Sequence, residues 1–154
     1  MAKTTNDPIT GDPLVSAHFM VSVESIGDAY FLEVGGLGSE SETTDHKIVD
    51  KNGKSIIRKI PGRLKWGDVT LKWGITKNMK FYEWRKQVED GLVDTARKNG
   101  TVYMLDQAGT VVAQWEFKAG WPSKIDGPSL KSDSNEIGME TLTIVHEGIS
   151  RISV

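Results

Sequence analysis

The stretch SESETTDHKIVDKNGKSIIRKIPGRLK, residues 39–65, carries more information about the fold than any other part of the 154-residue sequence. Its centre, Lys51-Asn52-Gly53-Lys54, predicts a two-residue hairpin turn, because Asn and Gly tolerate the positive φ angles of a type I′ turn. Residues 39–65 are therefore expected to form a protruding β-hairpin.

A type I′ turn would fix which residues of the two arms face each other. It places Val49 opposite Ile56 and Ile48 opposite Ile57, so that each face of the ribbon carries an apolar pair. Neither face is then suited to water alone. The charged residues paired by the same register are Glu42 with Arg63, Glu40 with Lys65, Lys47 with Arg58 and Lys51 with Lys54.

The charge pattern of this hairpin indicates a protein partner. The two pairs nearest the turn, Lys47 with Arg58 and Lys51 with Lys54, place positive charges directly opposite each other. Such pairs are destabilising unless an acidic group approaches. An isolated two-stranded hairpin is also marginal in water. Docking onto other subunits explains both features better than an ordinary solvated hairpin, which remains the alternative. The residues expected to make these subunit contacts are Glu40, Glu42, Lys47, Ile48, Val49, Lys51, Asn52, Lys54, Ile56, Ile57 and Arg58.

Around the hairpin the dominant hydrophobic period is two, which is typical of β-strands. Apolar positions in the last of these strands change face between Met139 and Leu142, which predicts a bulge or burial on both sides. A turn is expected at residues 106–109. The predicted strands are residues 19–23, 30–34, 69–73, 101–106, 111–118 and 137–146.

A single stretch has helical spacing. Phe81, Trp84 and Val88 fall on one face, Asn78 could cap the start and Gly91 is a natural end. One short helix among many strands predicts a mainly β, β-barrel-like fold with the helix packed against the sheet. The charged residues on the other face of this helix are Lys80, Glu83, Lys86 and Asp90.

Length and composition favour one domain over residues 1–154. Residues 1–16 are rich in turn formers and predict an extended arm that orders only against a partner. The formal net charge of -2 and the absence of cysteine exclude a bulk positive field for nucleic acid, a disulfide scaffold and thiolate metal sites. No apolar run resembles a signal peptide or a membrane span, so we expect a soluble protein made in the cytoplasm.

Residues that could carry catalysis form no recognisable site. His146-Glu147 resembles half of a zinc-protease motif, but Ser150 stands where the second histidine belongs. The glycines that end at Gly38 precede an acidic stretch, which favours a tight turn at a strand end over a phosphate-binding loop. No serine has the context of a nucleophile. We expect no catalytic residues, no metal and no cofactor.

The order of these segments resembles the tail tube proteins of contractile phages and of phage-tail-like injection systems, the group related to the tube of T4-like phages. The resemblance covers residues 19–149, and the segment after Leu37 is longer and more charged than the plain family pattern. The segments that carry it are residues 19–23, 31–37, 59–62, 69–74, 81–85, 115–117, 121–124, 127–128, 140–144 and 146–148.

The resemblance implies a subunit of hexameric rings that stack into a hollow tube inside a contractile sheath. Residues 39–65 would correspond to the long loop that contacts adjacent subunits and rings, and the charged face of the helix would meet the sheath. Implied partners are further copies of the chain, the sheath protein, and baseplate and tail-terminating proteins. DNA or protein cargo would pass without a specific site, along polar positions such as Thr70, Lys72, Gln114 and Glu116.

Two other functions remain open from the sequence. A ring protein of type VI secretion resembles the same family. A small-ligand-binding barrel of the lipocalin type would hide its apolar residues in one cavity, which fits a hairpin with two apolar faces poorly.

Overall fold

The computed structural model describes residues 18–75, 77–129, 132 and 138–154. The predicted arm at residues 1–16 and Ile137 lie outside the described residues. Within them the chain forms strands and two helices. In chain order they are β1 His18–Val23, β2 Gly27–Phe31, β3 Glu33–Gly35, β4 Ser39–Val49, β5 Ser55–Trp66, β6 Val69–Gly74, α1 Lys80–Glu89, α2 Val93–Ala96, β7 Lys98–Leu105, β8 Val111–Asp126, β9 Met139–Val145 and β10 Gly148–Ile152.

The body is a highly curved antiparallel sheet in the order β2-β1-β7-β8-β9-β6-β3, with β10 added on β8. The long β8 pairs with β7 and β10 through its first part and with β9 through its last part. The end strands β2 and β3 are separated only by Leu32, whose N–H donates to the Lys72 carbonyl at 3.0 Å. The two end strands of the sheet are thus consecutive in the chain. They do not pair with each other, so the sheet is not closed into a barrel.

The mainly β prediction is confirmed, with four local corrections. The expected strand at residues 30–34 is divided at Leu32, where the chain leaves β1 and joins β6. A second helix, α2, follows α1; its four residues are too short to give a periodic pattern. β10 was also missed, and β8 continues through Pro122 to Asp126.

The core lies on the face of the sheet that α1 covers. Its largest side chains, each less than 2% exposed, include Trp84, Phe117 and Leu71. These residues occupy the interior space that a small-ligand barrel would keep open, which argues against that alternative.

Glu140 explains the change of face in β9. β9 pairs with β6 without a shift in register, and the irregularity in its pairing with β8 lies between Pro122 and Lys124, so no bulge separates Met139 from Leu142. Glu140 instead takes an inward position beside Leu142 and is only 8% exposed. Tyr82 of α1 hydrogen-bonds to this carboxylate, and burial together with the hydrogen bond and charge of Glu140 raises the pKa of the tyrosine above 10.0.

The helix α1 covers the sheet through the predicted stripe. Phe81 and Trp84 are buried, and Phe81 packs edge-on against Phe31 at a centroid distance of 5.5 Å. Trp84 Nε1–H donates to the Ala96 carbonyl at 2.6 Å, which fixes α2 beside α1. The N-cap residue is Met79, not the predicted Asn78; Asn78, one residue earlier, accepts through Oδ1 from the Lys80 N–H at 3.0 Å.

Phe117 is enclosed by two glycines. A Cβ placed on Gly100 would overlap the Phe117 ring, and one on Gly120 would lie 2.5 Å from Phe117 Cε2. Gly100→Ala should therefore lower the free energy of unfolding by about 1–3 kcal/mol through overpacking. The measurement is urea denaturation followed by tryptophan fluorescence.

Gly127→Ala is the matched control, since nothing lies within 4 Å of a Cβ at that position. Its free energy of unfolding should stay within about 0.5 kcal/mol of the parent. Equal midpoints for the two variants would contradict the packing role of Gly100.

Candidate functional site

The hairpin of β4 and β5 turns through a three-residue loop. The Asp50 N–H donates to the Lys54 carbonyl at 2.9 Å and the Gly53 N–H donates to the Asp50 carbonyl at 3.1 Å. Gly53 has φ 76°, whereas Asn52 does not adopt positive φ. This is a turn with glycine at its left-handed third position, so the predicted two-residue turn is wrong.

The side chain of Asp50 selects this turn. Its Oδ1 accepts from the N–H groups of Asn52 and Lys54, both at 2.8 Å. Asp106 Oδ1 makes the same pair of bonds at 2.9 Å in the turn that contains Gly109, which the sequence predicted correctly. An aspartate three residues before a glycine is thus the sequence feature that could have identified the loop.

The longer loop changes the register of the hairpin by one residue near its tip. Ile48 lies opposite Ile56, and a bulge between Ser41 and Thr43 restores the predicted register at the base. The predicted pairing of Glu40 with Lys65 is confirmed, and the predicted apolar pairs are wrong. The other observed pairs are Val49 with Ser55, Lys47 with Ile57 and His46 with Arg58.

Both faces of the hairpin nevertheless carry exposed apolar side chains. Ile48, Ile56 and Ile60 share one face because direct partners and alternate residues point the same way. Val49 and Ile57 lie on the other face and are 70% and 56% exposed. The two-sided apolar character expected from the sequence is therefore present, through different pairs.

Fewer like charges face each other across the hairpin than the sequence predicted. Lys47 and Arg58 are not partners, and Lys59 forms an ion pair with Asp45 at 2.5 Å. Glu42 pairs with Lys65 at 2.7 Å instead of with Arg63. These exposed pairs contribute about 0–1 kcal/mol each.

The outer end of the hairpin keeps an unbalanced positive charge. Residues 39–65 contain seven Lys or Arg and four Asp or Glu. Among the described residues, Lys47, Lys51 and Lys54 have no ion-pair partner, and all three are exposed. The turn that carries Asn52 therefore presents a basic, solvent-facing tip.

Two backbone segments cross closely where the hairpin leaves the body. We call residues 36–38 and 66–68 the hairpin root. Gly36 has φ 78°, and a Cβ on it would overlap the Asp68 carbonyl oxygen. The Gly67 N–H donates to the Gly38 carbonyl at 2.9 Å. The glycines that could have suggested a phosphate loop instead permit this crossing at a strand end.

His146 holds the hairpin root against the body. Its Nε2 lies 2.8 Å from the Gly67 carbonyl and must donate, because a carbonyl only accepts. Its ring packs 6.3 Å from Trp66 and 6.1 Å from Phe117 between ring centroids. His146 Nδ1 is buried without a hydrogen-bond partner among the described residues. His146, which in the sequence resembled half of a zinc-protease motif, therefore holds the hairpin root in place.

The charged face of α1 lies on the surface as the sequence predicted. Lys80, Glu83, Lys86 and Asp90 are all exposed. Lys86 and Asp90 form an ion pair at 3.3 Å. Glu83 has no ion-pair partner among the described residues. This face is available to another protein.

The polar positions suggested for a channel lie on the sheet face turned away from the core. Thr70 and Lys72 alternate with the buried residues of β6, and Lys72 lies 3.6 Å from Glu33. Gln114 and Glu116 occupy the corresponding face of β8, and Glu116 is exposed. Because successive side chains of a strand point to opposite faces, all four residues lie on the same side of the sheet.

Groups suited to metal chemistry are not clustered in the part of the chain that the structure describes. No three His, Asp or Glu side chains there could hold a metal ion. None of the helices described is long and apolar enough to cross a membrane.

Solved structures of assembly subunits share this fold. The chain is similar to the tube-terminating cap of the anti-feeding prophage, with 23% identity over 100% of both chains and a TM-score of 0.72. It is similar to a chain of the PVC sheath-tube complex in the extended state, from an extracellular contractile injection system, with 21% identity, coverage of 99% and 100%, and a TM-score of 0.74. Hcp1 from Flavobacterium johnsoniae has 16% identity, coverage of 88% and 94%, and a TM-score of 0.55.

Sequence comparison defines the family. The family model for T4-like virus tail tube protein gp19 matches residues 15–150. No curated protein sequence matches the chain. The chain belongs to the T4-like virus tail tube protein family. It is a structural inner tube protein, and its place is in the tail of an assembled particle.

Gly36 should be less tolerant of substitution than Gly53, although both have positive φ. Gly53→Ala should lower the free energy of unfolding by about 1–2 kcal/mol, the cost of left-handed backbone. Gly36→Ala adds a clash with rigid backbone and should cost roughly 3 kcal/mol or more. Urea denaturation of the two variants tests this difference.

Gly53→Ala serves as the control, because nothing lies within 4 Å of a Cβ there. Similar losses in the two variants would show that the close crossing at the hairpin root does not limit stability.

Proposed function

We propose that the chain forms hexameric rings, which stack into the hollow inner tube of a contractile phage-tail-like particle. The observation that carries this proposal is the exposed hairpin, whose two faces both present apolar side chains. A surface of this kind is expected to be covered by other subunits.

The contractile particle is favoured over a type VI secretion ring by the extent of the structural similarity. The PVC chain aligns over 99% of this chain with a TM-score of 0.74. The Hcp1 chain aligns over 88% with a TM-score of 0.55. The second candidate, a type VI ring protein, rests on that weaker similarity.

In the proposed tube the hairpin connects neighbouring subunits and rings. Its apolar faces would be buried and its basic tip would approach acidic groups, which relieves the imbalance of charge left in one subunit. The contacts would involve the residues expected from the sequence, Glu40, Glu42, Lys47, Ile48, Val49, Lys51, Asn52, Lys54, Ile56, Ile57 and Arg58.

We further propose that α1 lies on the outside of the tube and meets the sheath. A tube wall has room for a helix only away from the lumen, and Lys80, Glu83 and Lys86 of α1 are exposed together with the adjoining Asp90. Polar sheet positions such as Thr70 and Gln114 would face the channel. Cargo, either DNA or protein, would then pass without a specific binding site and without a cofactor.

A stacked tube of finite length would need further protein partners at its two ends. A tube needs a baseplate at one end and a terminating protein at the other, and solved structures of both kinds of assembly contain chains with this fold. The protein would be made in the bacterial cytoplasm before it joins the particle.

Replacing Ile48 and Ile57 together by Ser should block tube growth without unfolding the subunit. One residue lies on each hairpin face, and each apolar side chain would contribute about 1.5–3 kcal/mol if buried on assembly. The concentration needed for tubes should rise at least roughly tenfold. Sedimentation and negative-stain images measure growth, and circular dichroism checks the fold.

Leu92→Ser is the control, since Leu92 is 53% exposed and lies outside the hairpin. Tubes that form at the parent concentration in the double variant would remove the hairpin as the connector. A parent chain that stays monomeric and forms no rings would overturn the proposed function itself.

Charge reversal on α1 should weaken sheath binding while tubes still form. Glu83→Lys changes an exposed charge that lacks an ion pair among the described residues. Cosedimentation of sheath protein with preformed tubes should fall, and more at low salt, where screening is weak.

Glu24→Lys, an exposed change in the turn between β1 and β2, is the matched control. Equal loss in both variants would point to net charge instead of the α1 surface. Unchanged binding by Glu83→Lys at low salt would contradict the placement of α1 against the sheath.

A further inference from the structure

An open apolar cleft lies at the end of the body where β6 finishes. Its volume is about 670 Å³. Tyr30, Leu32 and Ile75 in its wall are 69%, 70% and 51% exposed. The cleft is lined by His18, Tyr30, Phe31, Leu32, Trp73, Gly74, Ile75, Asn78, Phe81, Leu105 and Gly109.

The exposed apolar residues of the body concentrate at this cleft. Outside the hairpin, the large exposed apolar residues of the described chain are Tyr30, Leu32, Ile75, Met79, Leu92 and Val154. Three of these six line the cleft, and Met79 follows the lining residue Asn78. Apolar surface gathered in this way marks an interaction site.

The cleft and the hairpin root lie at opposite ends of the body. β6 begins at Val69, directly after the root, and ends at Gly74 in the cleft wall. Its six residues span about 20 Å at ~3.3 Å per residue. β1 starts at His18 in the cleft and ends at Val23, next to the Gly100 that packs on Phe117.

We propose that this cleft is the socket for the hairpin of a second copy of the chain. The inference rests on the proposed function and adds to it the receiving surface and the direction of stacking. A protrusion at one end and a socket at the other give a head-to-tail contact, which repeats without limit along one axis. A growing tube requires a contact of this type.

Chemistry supports a second copy as the occupant. The hairpin has five large exposed apolar residues, Val49, Ile56, Ile57, Ile60 and Leu64. Outside residues 39–65 the described part of the chain has 13 Asp or Glu and 10 Lys or Arg. The basic hairpin of one copy thus meets an acidic body in another.

The wall of the cleft carries little charge. His18 is its sole titratable residue apart from Tyr30, so contact within the cleft would be mainly apolar. At the rim, the exposed Glu33 lies 3.6 Å from Lys72, so charge attraction would come from the body as a whole.

Cysteine crosslinking tests the socket directly, because the chain contains no cysteine. Ile75→Cys is combined in turn with Val49→Cys, Ile57→Cys, Ile60→Cys or Leu64→Cys. Positions along the whole hairpin are needed because β5, with 12 residues, is about 40 Å long. After oxidation of assembled tubes, at least one pair should give a ladder of dimers, trimers and higher multiples on non-reducing gels, which collapses on reduction.

Leu92→Cys, paired with the same hairpin cysteines, is the matched control. Leu92 and Ile75 have nearly equal exposure, 53% and 51%. Ladders with Ile75→Cys and none with Leu92→Cys would support the socket. The Ile75→Cys variant alone should give at most dimers.

The failure of this inference is distinct from the failure of the proposed function. Tubes that form but give no Ile75 ladder with any hairpin cysteine would overturn the socket and leave the tube intact. A Leu14→Cys and Ile75→Cys crosslink in such tubes would assign the cleft to residues 1–17 instead. A chain that forms no tubes under any condition would overturn the proposed function.

Discussion

The packing of the Phe117 ring connects the core of the chain to the β4–β5 hairpin. The ring is fully buried, and Gly100 and Gly120 have no side chains that would occupy its space. On another side it contacts His146, which donates to the Gly67 carbonyl of the hairpin root. A change in the core at Phe117 can therefore alter the direction of a hairpin that lies outside the core, since close-packed interiors transmit strain.

The hairpin root is important because the hairpin beyond it makes few contacts that would fix its position. Apart from Ile48 and Asp50, every residue from 39 to 65 is exposed, and its ion pairs lie on the surface. Two-stranded ribbons of this kind are marginal in water. The close backbone contacts at Gly36 and Gly67 limit how far the hairpin can swing, which would lower the entropy lost in the proposed docking.

The sequence predicted the strands well where one face is buried, because the pattern of Val69, Leu71 and Trp73 follows directly from burial. It failed where a polar residue takes an inward position, as Glu140 does, since the tyrosine that compensates it comes from a distant helix. It also failed at the extension of β8, because Pro122 normally argues against a central strand. The hairpin was located correctly at residues 39–65, but its register was not, because the Asp50 side chain accepts from two N–H groups of the turn and so favours a three-residue loop over the two-residue Asn-Gly turn.

The distribution of charge would allow one chain to be both a stable subunit and the repeating unit of the proposed tube. A subunit with uniformly mixed charge would gain little from any particular neighbour, whereas separation into a basic hairpin and an acidic body makes like ends repel and unlike ends attract. The net charge of -2 remains small, so repulsion between whole subunits is modest. In the proposed tube the apolar side chains would supply the contact area, and the charges would select the orientation in which that area is buried. Head-to-tail order would then follow from the separation of charge within one sequence.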